Sequence, residues 1–184
     1  MINKPKDWEE TKESEVVEGE KLPVGPKLVQ IKDVIDHPEN EYLEIRVDIV
    51  RDAKYANWFA KQAEAFGNWP NTAIYRASYK ETATRFFKAF ITAIQKSNQG
   101  YVWNWDEQTL KGKLFVANFG EEEYYTDSGE LKVAFKIREC RSIEAYQNGD
   151  VKVLELKKAK AKQPQVANPF AQVTNNFNND DLPF

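Results

Sequence analysis

Cysteine and histidine each occur once, as Cys140 and His37, and this scarcity closes off two kinds of chemistry. No internal disulfide can form, and no cage of Cys and His ligands can hold zinc. Glycine is scarce too, and the eight present spell no phosphate-cradling loop: Gly112 precedes Lys113, but position 107, where such a loop needs its first glycine, is a glutamate. No apolar run is long enough to span a bilayer and no secretory leader pattern is present, so a cytoplasmic protein that makes no membrane contact is expected. An excess of positive charge is also missing. The net charge is −3 and the pI about 5.4, which rules out a grip on polyanions by bulk charge.

The residues that could do chemistry are isolated. His37 falls in a Pro-containing turn and reads as a surface residue rather than a general base. Glu121-Glu122-Glu123 reads as solvated charge on a hairpin loop rather than a metal site, and Cys140 as a small, half-buried side chain. No catalytic residue, metal or cofactor is expected.

What is present is a core-forming composition, 41% hydrophobic and 13% aromatic, enough for one domain of ordinary size. It is flanked by two polar segments. Residues 1–21 form an acidic arm, with seven carboxylates against one lysine between Asp7 and Glu20. Residues 157–184 open with Lys157, Lys158, Lys160 and Lys162, continue through Asn175-Asn176-Phe177-Asn178-Asn179, and have almost nothing to bury. The expectation for this second segment is disorder.

Between them, residues 22–156 carry strand and helix patterns in a definite order. Lys27–Ile35 reads as a strand with Val29 and Ile31 on one face. Tyr42–Ile49 alternates cleanly, Leu43, Ile45, Val47 and Ile49 inward and Tyr42, Glu44, Arg46 and Asp48 outward. Tyr55–Phe66 has aromatic residues at helical spacing, and Asn71–Ala77 reads as a third strand. Ser78-Tyr79-Lys80-Glu81 has the form of a capping box; it opens a helix whose Ala83, Phe86, Phe87, Phe90, Ile91 and Ile94 recur at three and four residues. After the aromatic loop Tyr101–Asp106 come a strand at Lys113–Phe119, a turn at Asp127-Ser128-Gly129, and a strand at Leu131–Ile137 with Leu131, Val133, Phe135 and Ile137 inward. Val151–Leu154 offers one further short strand. The expected fold is mainly β with one or two helices: a five-stranded oligonucleotide-binding (OB) barrel with a helix between strands 3 and 4, followed by a disordered C-terminal tail.

The segment Asp180-Asp181-Leu182-Pro183-Phe184 makes sense only as a ligand. Two carboxylates, an aliphatic residue, a rigid proline and a phenylalanine bearing a free α-carboxylate suit a hydrophobic hole rimmed by cations. It resembles the acidic C-terminal tip of bacterial single-stranded-DNA-binding proteins. That resemblance implies recruitment of replication and recombination proteins through Asp180, Asp181, Leu182, Pro183 and Phe184. From about Gly25 to Val153 the chain also resembles a phage-encoded single-stranded-DNA-binding family, through Trp69-Pro70-Asn71-Thr72, Ser78-Tyr79-Lys80-Glu81, Phe86-Phe87-Lys88, Lys111-Gly112-Lys113 and Arg141-Ser142-Ile143-Glu144. The long insertion between strands 2 and 3 departs from the bacterial pattern, so the bacterial tetramer does not carry over, although self-association is compatible with the plan.

Binding a single strand requires flat rings for bases and cations for phosphates. Trp69, Tyr75 and Phe115 are the candidate stacking residues, and Arg76, Lys111, Lys113, Lys132, Lys136 and Arg138 the candidate phosphate contacts. Phe86, Phe87, Phe90 and Phe135 are assigned to the core, with Trp103 and Trp105 packed over a barrel end. The same residues admit another class of reading, an adaptor that binds protein rather than DNA and uses the same tip.

Overall fold

A computed structural model describes residues 21–160. Five antiparallel strands, β1 (Gly25–His37), β2 (Tyr42–Ile49), β3 (Ile74–Ser78), β4 (Leu114–Tyr125) and β5 (Leu131–Arg141), form one sheet of order β3-β2-β1-β4-β5. Helix α1 (Trp58–Phe66) lies between β2 and β3, α2 (Thr84–Ser97) between β3 and β4, and the short α3 (Ile143–Gln147) after β5. The edge strands β3 and β5 approach each other at Tyr75 and Cys140, where burial first, and the neighbouring thiol second, push the Tyr75 phenol up. No ladder joins these two edges, so the hydrogen-bonded sheet does not run into a closed ring.

The core forms where the sheet's inner face meets the helices. Leu43, Ile45, Val47 and Ile49 are buried, as the alternation of β2 predicts, together with Phe87, Phe90, Ile91 and Ile94 of α2. In β1 the buried set is Val29, Ile31 and then Val34. The step of three follows from a bulge between Ile31 and Asp33, which inserts a residue and reverses the facing of the strand beyond it.

Several expectations are corrected. The capping box is not built: Ser78 ends β3, its hydroxyl donates to Glu41 O at 3.2 Å, and a 3-10 turn at Glu81–Ala83 precedes α2. Residues 71–73 are likewise a 3-10 turn, so β3 begins at Ile74. Phe86 is 57% exposed, because α2 turns Phe87 and Phe90 to the sheet and leaves it on the outer side. Asp48, expected outside, is fully buried beneath α1. Glu121-Glu122-Glu123 lies within β4 rather than in a loop. The β4–β5 hairpin runs beyond the core, which leaves Leu131 and Val133 48% and 54% exposed; its turn at Thr126–Glu130 is where the sequence put it.

Val151–Leu154 is extended chain outside any ladder, yet it is not loose. Asn118 Nδ2 donates to Lys152 O at 2.8 Å, and Arg138 Nη1 donates to Glu155 O at 2.6 Å. Beyond Phe119, β4 no longer has β1 beside it. Residues 155–159 take that place as a strap: Lys157 N donates to Glu121 O at 3.1 Å and Glu123 N to Lys157 O at 2.8 Å. Gly120 permits this, since a Cβ there would meet Arg138 Cδ at 2.8 Å. The Glu122 carboxylate clamps the strap between Lys136 and Lys157, each at 2.7 Å, and hydrogen bonds from these two lysines hold its pKa down at about 2. Because the folded-state value is depressed, this contribution is complete above the ordinary carboxylate range and fades as the pH falls from about 4.5 toward 2. Glu122→Gln should therefore speed amide exchange at Lys157 and Glu123 at neutral pH without affecting Ile45 or Ile94. Unchanged exchange at the first two amides would mean that the carboxylate does not hold the strap.

Candidate nucleic-acid interface

Residues opposite one another in an antiparallel ladder share a face. Across the outer face of β1, β2 and β3 the rows are His37–Tyr42–Ser78, Ile35–Glu44–Arg76 and Asp33–Arg46–Ile74. In the first row His37 and Tyr42 stack, with ring centroids 4.6 Å apart and planes 16° off parallel. The turn that joins their strands is tied by Asn40 N donating to His37 O at 3.0 Å. Beside the stack is a shallow hollow of about 470 Å³ lined by Asn40, Tyr42, Arg76, Ser78 and Lys80. Arg76 and Lys80 have no carboxylate partner among the described residues, so their charge is turned to solvent and to whatever enters the hollow.

The remaining cations of this face are neutralised in a chain. Lys111 Nζ reaches Asp33 at 2.8 Å, Arg46 bridges Asp33 at 3.9 Å and Glu44 at 2.9 Å, and Glu44 lies 3.6 Å from His37 Nε2. The hydrogen bond from Lys111 is the main reason the Asp33 carboxyl sits below its usual range.

The residues chosen from sequence are thus divided. Arg76 is in the hollow. Phe115 is fully buried, edge-on to Phe90 at 5.8 Å, and offers no face to a base; that assignment is withdrawn. Tyr75 is packed on Phe90 at 5.2 Å, and Trp69 is partly buried against the core with its indole N–H shielded. Lys113 lies over the Tyr101 ring at 4.5 Å. Lys132 pairs with Glu130 at 3.2 Å and Lys136 with Glu122, while the Arg138 guanidinium is spent on Glu121 O and Glu155 O. The proposed cationic strand is therefore occupied with its own hairpin and strap.

No protein-family model and no curated protein matches the chain.

Sequence reading overlooked Tyr42, His37 and Lys80, although the outward phase of Tyr42 in β2 was visible and points to this face. It also overlooked a second group of cations. Arg85, Lys88 and Lys96 follow one another along α2 at near-helical intervals and, with Arg141, line a groove of about 410 Å³. None of the four has an ion-pair partner among the described residues, and Arg85 covers the exposed Phe86 ring at 4.6 Å. No group of three or more His, Cys, Asp or Glu side chains that could hold a metal occurs among the described residues, and no helix there is long and apolar enough to cross a membrane. The tip residues Asp180 to Phe184 and the acidic arm up to residue 20 lie outside the described residues.

Proposed function

We propose that the chain is a non-catalytic, single-stranded-DNA-binding protein of the OB type, acting in the host bacterial cytoplasm in phage replication and recombination. The observation that carries the proposal is the hollow. A half-exposed ring stack and two unpaired cations share the outer face of a curled, five-stranded antiparallel sheet. In OB proteins the strand 2–3 face and the loop before it receive the nucleic acid, on a barrel that is often partly open. The helix between β3 and β4 fits the same plan. Tyr42 would stack a base and Arg76 and Lys80 would neutralise phosphates. The segment Asp180–Phe184, by its resemblance, would recruit partner proteins.

The test is a titration of labelled poly-dT at several salt concentrations. Tyr42→Ala should weaken binding by roughly 1–3 kcal/mol. Arg76→Gln and Lys80→Gln should each reduce the log–log salt slope by about 0.7. Deletion of Asp180–Phe184 should leave DNA binding intact while abolishing capture of replication proteins from lysate. If the parent protein fails to bind poly-dT even at low salt, the adaptor reading replaces this one.

A further inference from the structure

Trp105 is 81% exposed and has a φ of +69°, a left-handed conformation that bulky residues rarely adopt. Its loop is well tied. Gln108 N donates to Asp106 Oδ1 at 3.0 Å, and the Thr109 hydroxyl donates to Asp106 O at 2.6 Å. Behind Trp105 the rings continue inward: Trp103 at 6.1 Å, Phe87 at 6.3 Å from Trp103, and Tyr79 at 6.1 Å from Phe87. Together the four line a cleft of about 280 Å³ with Asp36 and Glu107 also in its wall.

We propose that this cleft receives the cationic side chain of a basic peptide segment from a partner protein. The charge is complementary. Asp36 accepts a hydrogen bond from the Tyr79 hydroxyl at 2.8 Å and Glu107 one from Gln108 Nε2 at 3.0 Å, and neither has a cationic partner among the described residues. A phosphate backbone would be repelled there, whereas an ammonium or guanidinium gains both carboxylates and the electron-rich ring faces. The Tyr79 phenol is pushed up to about 12 by desolvation and by the carboxylates of Asp36, Glu41 and Glu39. It keeps its proton and its hold on Asp36 throughout the physiological range.

The cleft and the DNA hollow are separate, with neighbouring residues turned to one and the other: Tyr42 and Ser78 line the hollow, and Leu43 and Tyr79 the cleft. Strand and peptide could therefore be held together.

The experiment uses the full chain and two short, neutral-flanked peptides with a single central Arg or Gln. The Arg peptide should saturate, with the Gln peptide at least tenfold weaker. Trp105→Ala should weaken the Arg peptide by about 2- to 30-fold, the range of one cation–π contact, and Glu107→Gln by up to about 5-fold, the range of one exposed ion pair, and both should leave poly-dT affinity unchanged. Trp105 is exposed, so its truncation leaves the core intact. Equal binding of the two peptides, no saturation by the Arg peptide, or loss of poly-dT rather than peptide affinity in Trp105→Ala overturns the proposal. None of these outcomes bears on the Tyr42 and Arg76 titration.

Discussion

Phe115→Ala should cost about 3–5 kcal/mol of folding stability, the usual range for emptying a phenylalanine site in a packed core. The ring is fully buried, meets Phe90 edge-on, and its residue pairs with the equally buried Val29 across the β1–β4 ladder. Phe90 in turn supports Tyr75 near the seam between β3 and β5. The melting temperature should fall by about 10–20 °C for a domain of this size, whereas poly-dT affinity measured well below the transition should stay at the parent value. A variant that melts within 2 °C of the parent yet binds DNA poorly would return Phe115 to the interface and invalidate the packing described for β4.

Asp48→Ala should be nearly as damaging, at about 2–4 kcal/mol. Its Oδ1 accepts from Ile49 N at 2.9 Å and Phe59 N at 3.0 Å, and its Oδ2 accepts from Ala60 N at 3.2 Å. Helix α1 starts from Asn57 in a left-handed conformation, with no side-chain cap from that residue and no acid in its first turn. The β2 carboxylate therefore caps the helix from outside. A cap alone contributes roughly 0.5–2 kcal/mol, and a hydrogen bond to a charged group about 1.5–3 kcal/mol. Asp48→Asn keeps one acceptor and should lose about half as much as Asp48→Ala. Urea titration of both variants, with amide exchange at Phe59 and Ala60, checks the account. Equal losses for Asn and Ala, or a loss under 0.5 kcal/mol for Ala, would show that the carboxylate is not the cap.

These two residues also show where sequence legibility ends. The alternation of β2 identified Leu43, Ile45, Val47 and Ile49 because one face of that strand meets the core, and the α2 stripe identified Phe87, Phe90 and Ile94 for the same reason. β4 has no such contrast. Residues 115–120 are buried without interruption, since the core takes one face while residues near Lys152 cover the other. A period of two carries no facing information there, so Phe115 could be placed on either side. Asp48 obeyed the outward phase of β2 but met α1, whose docking position no local pattern encodes. Arg76 was legible as a cation beside Tyr75 in the third strand, although not the face it takes. The spent charge of Lys111, Lys136 and Arg138 was not, because each answers a carboxylate or carbonyl distant in sequence.

The strap bears on where this protein can safely be cut. Composition puts the end of the domain at residue 156, but a chain stopped there would lose Lys157, whose backbone pairs with Glu121 O and Glu123 N, and Ala159, whose N–H donates to the Glu123 carboxylate. That stretch of β4 would then present bare N–H and C=O groups beside the exposed Leu131 and Val133, the kind of open strand edge that recruits a neighbour and nucleates aggregation. A chain stopped after residue 160 keeps the edge covered. Self-association of the shorter protein would then be a product of the cut rather than a property of the domain.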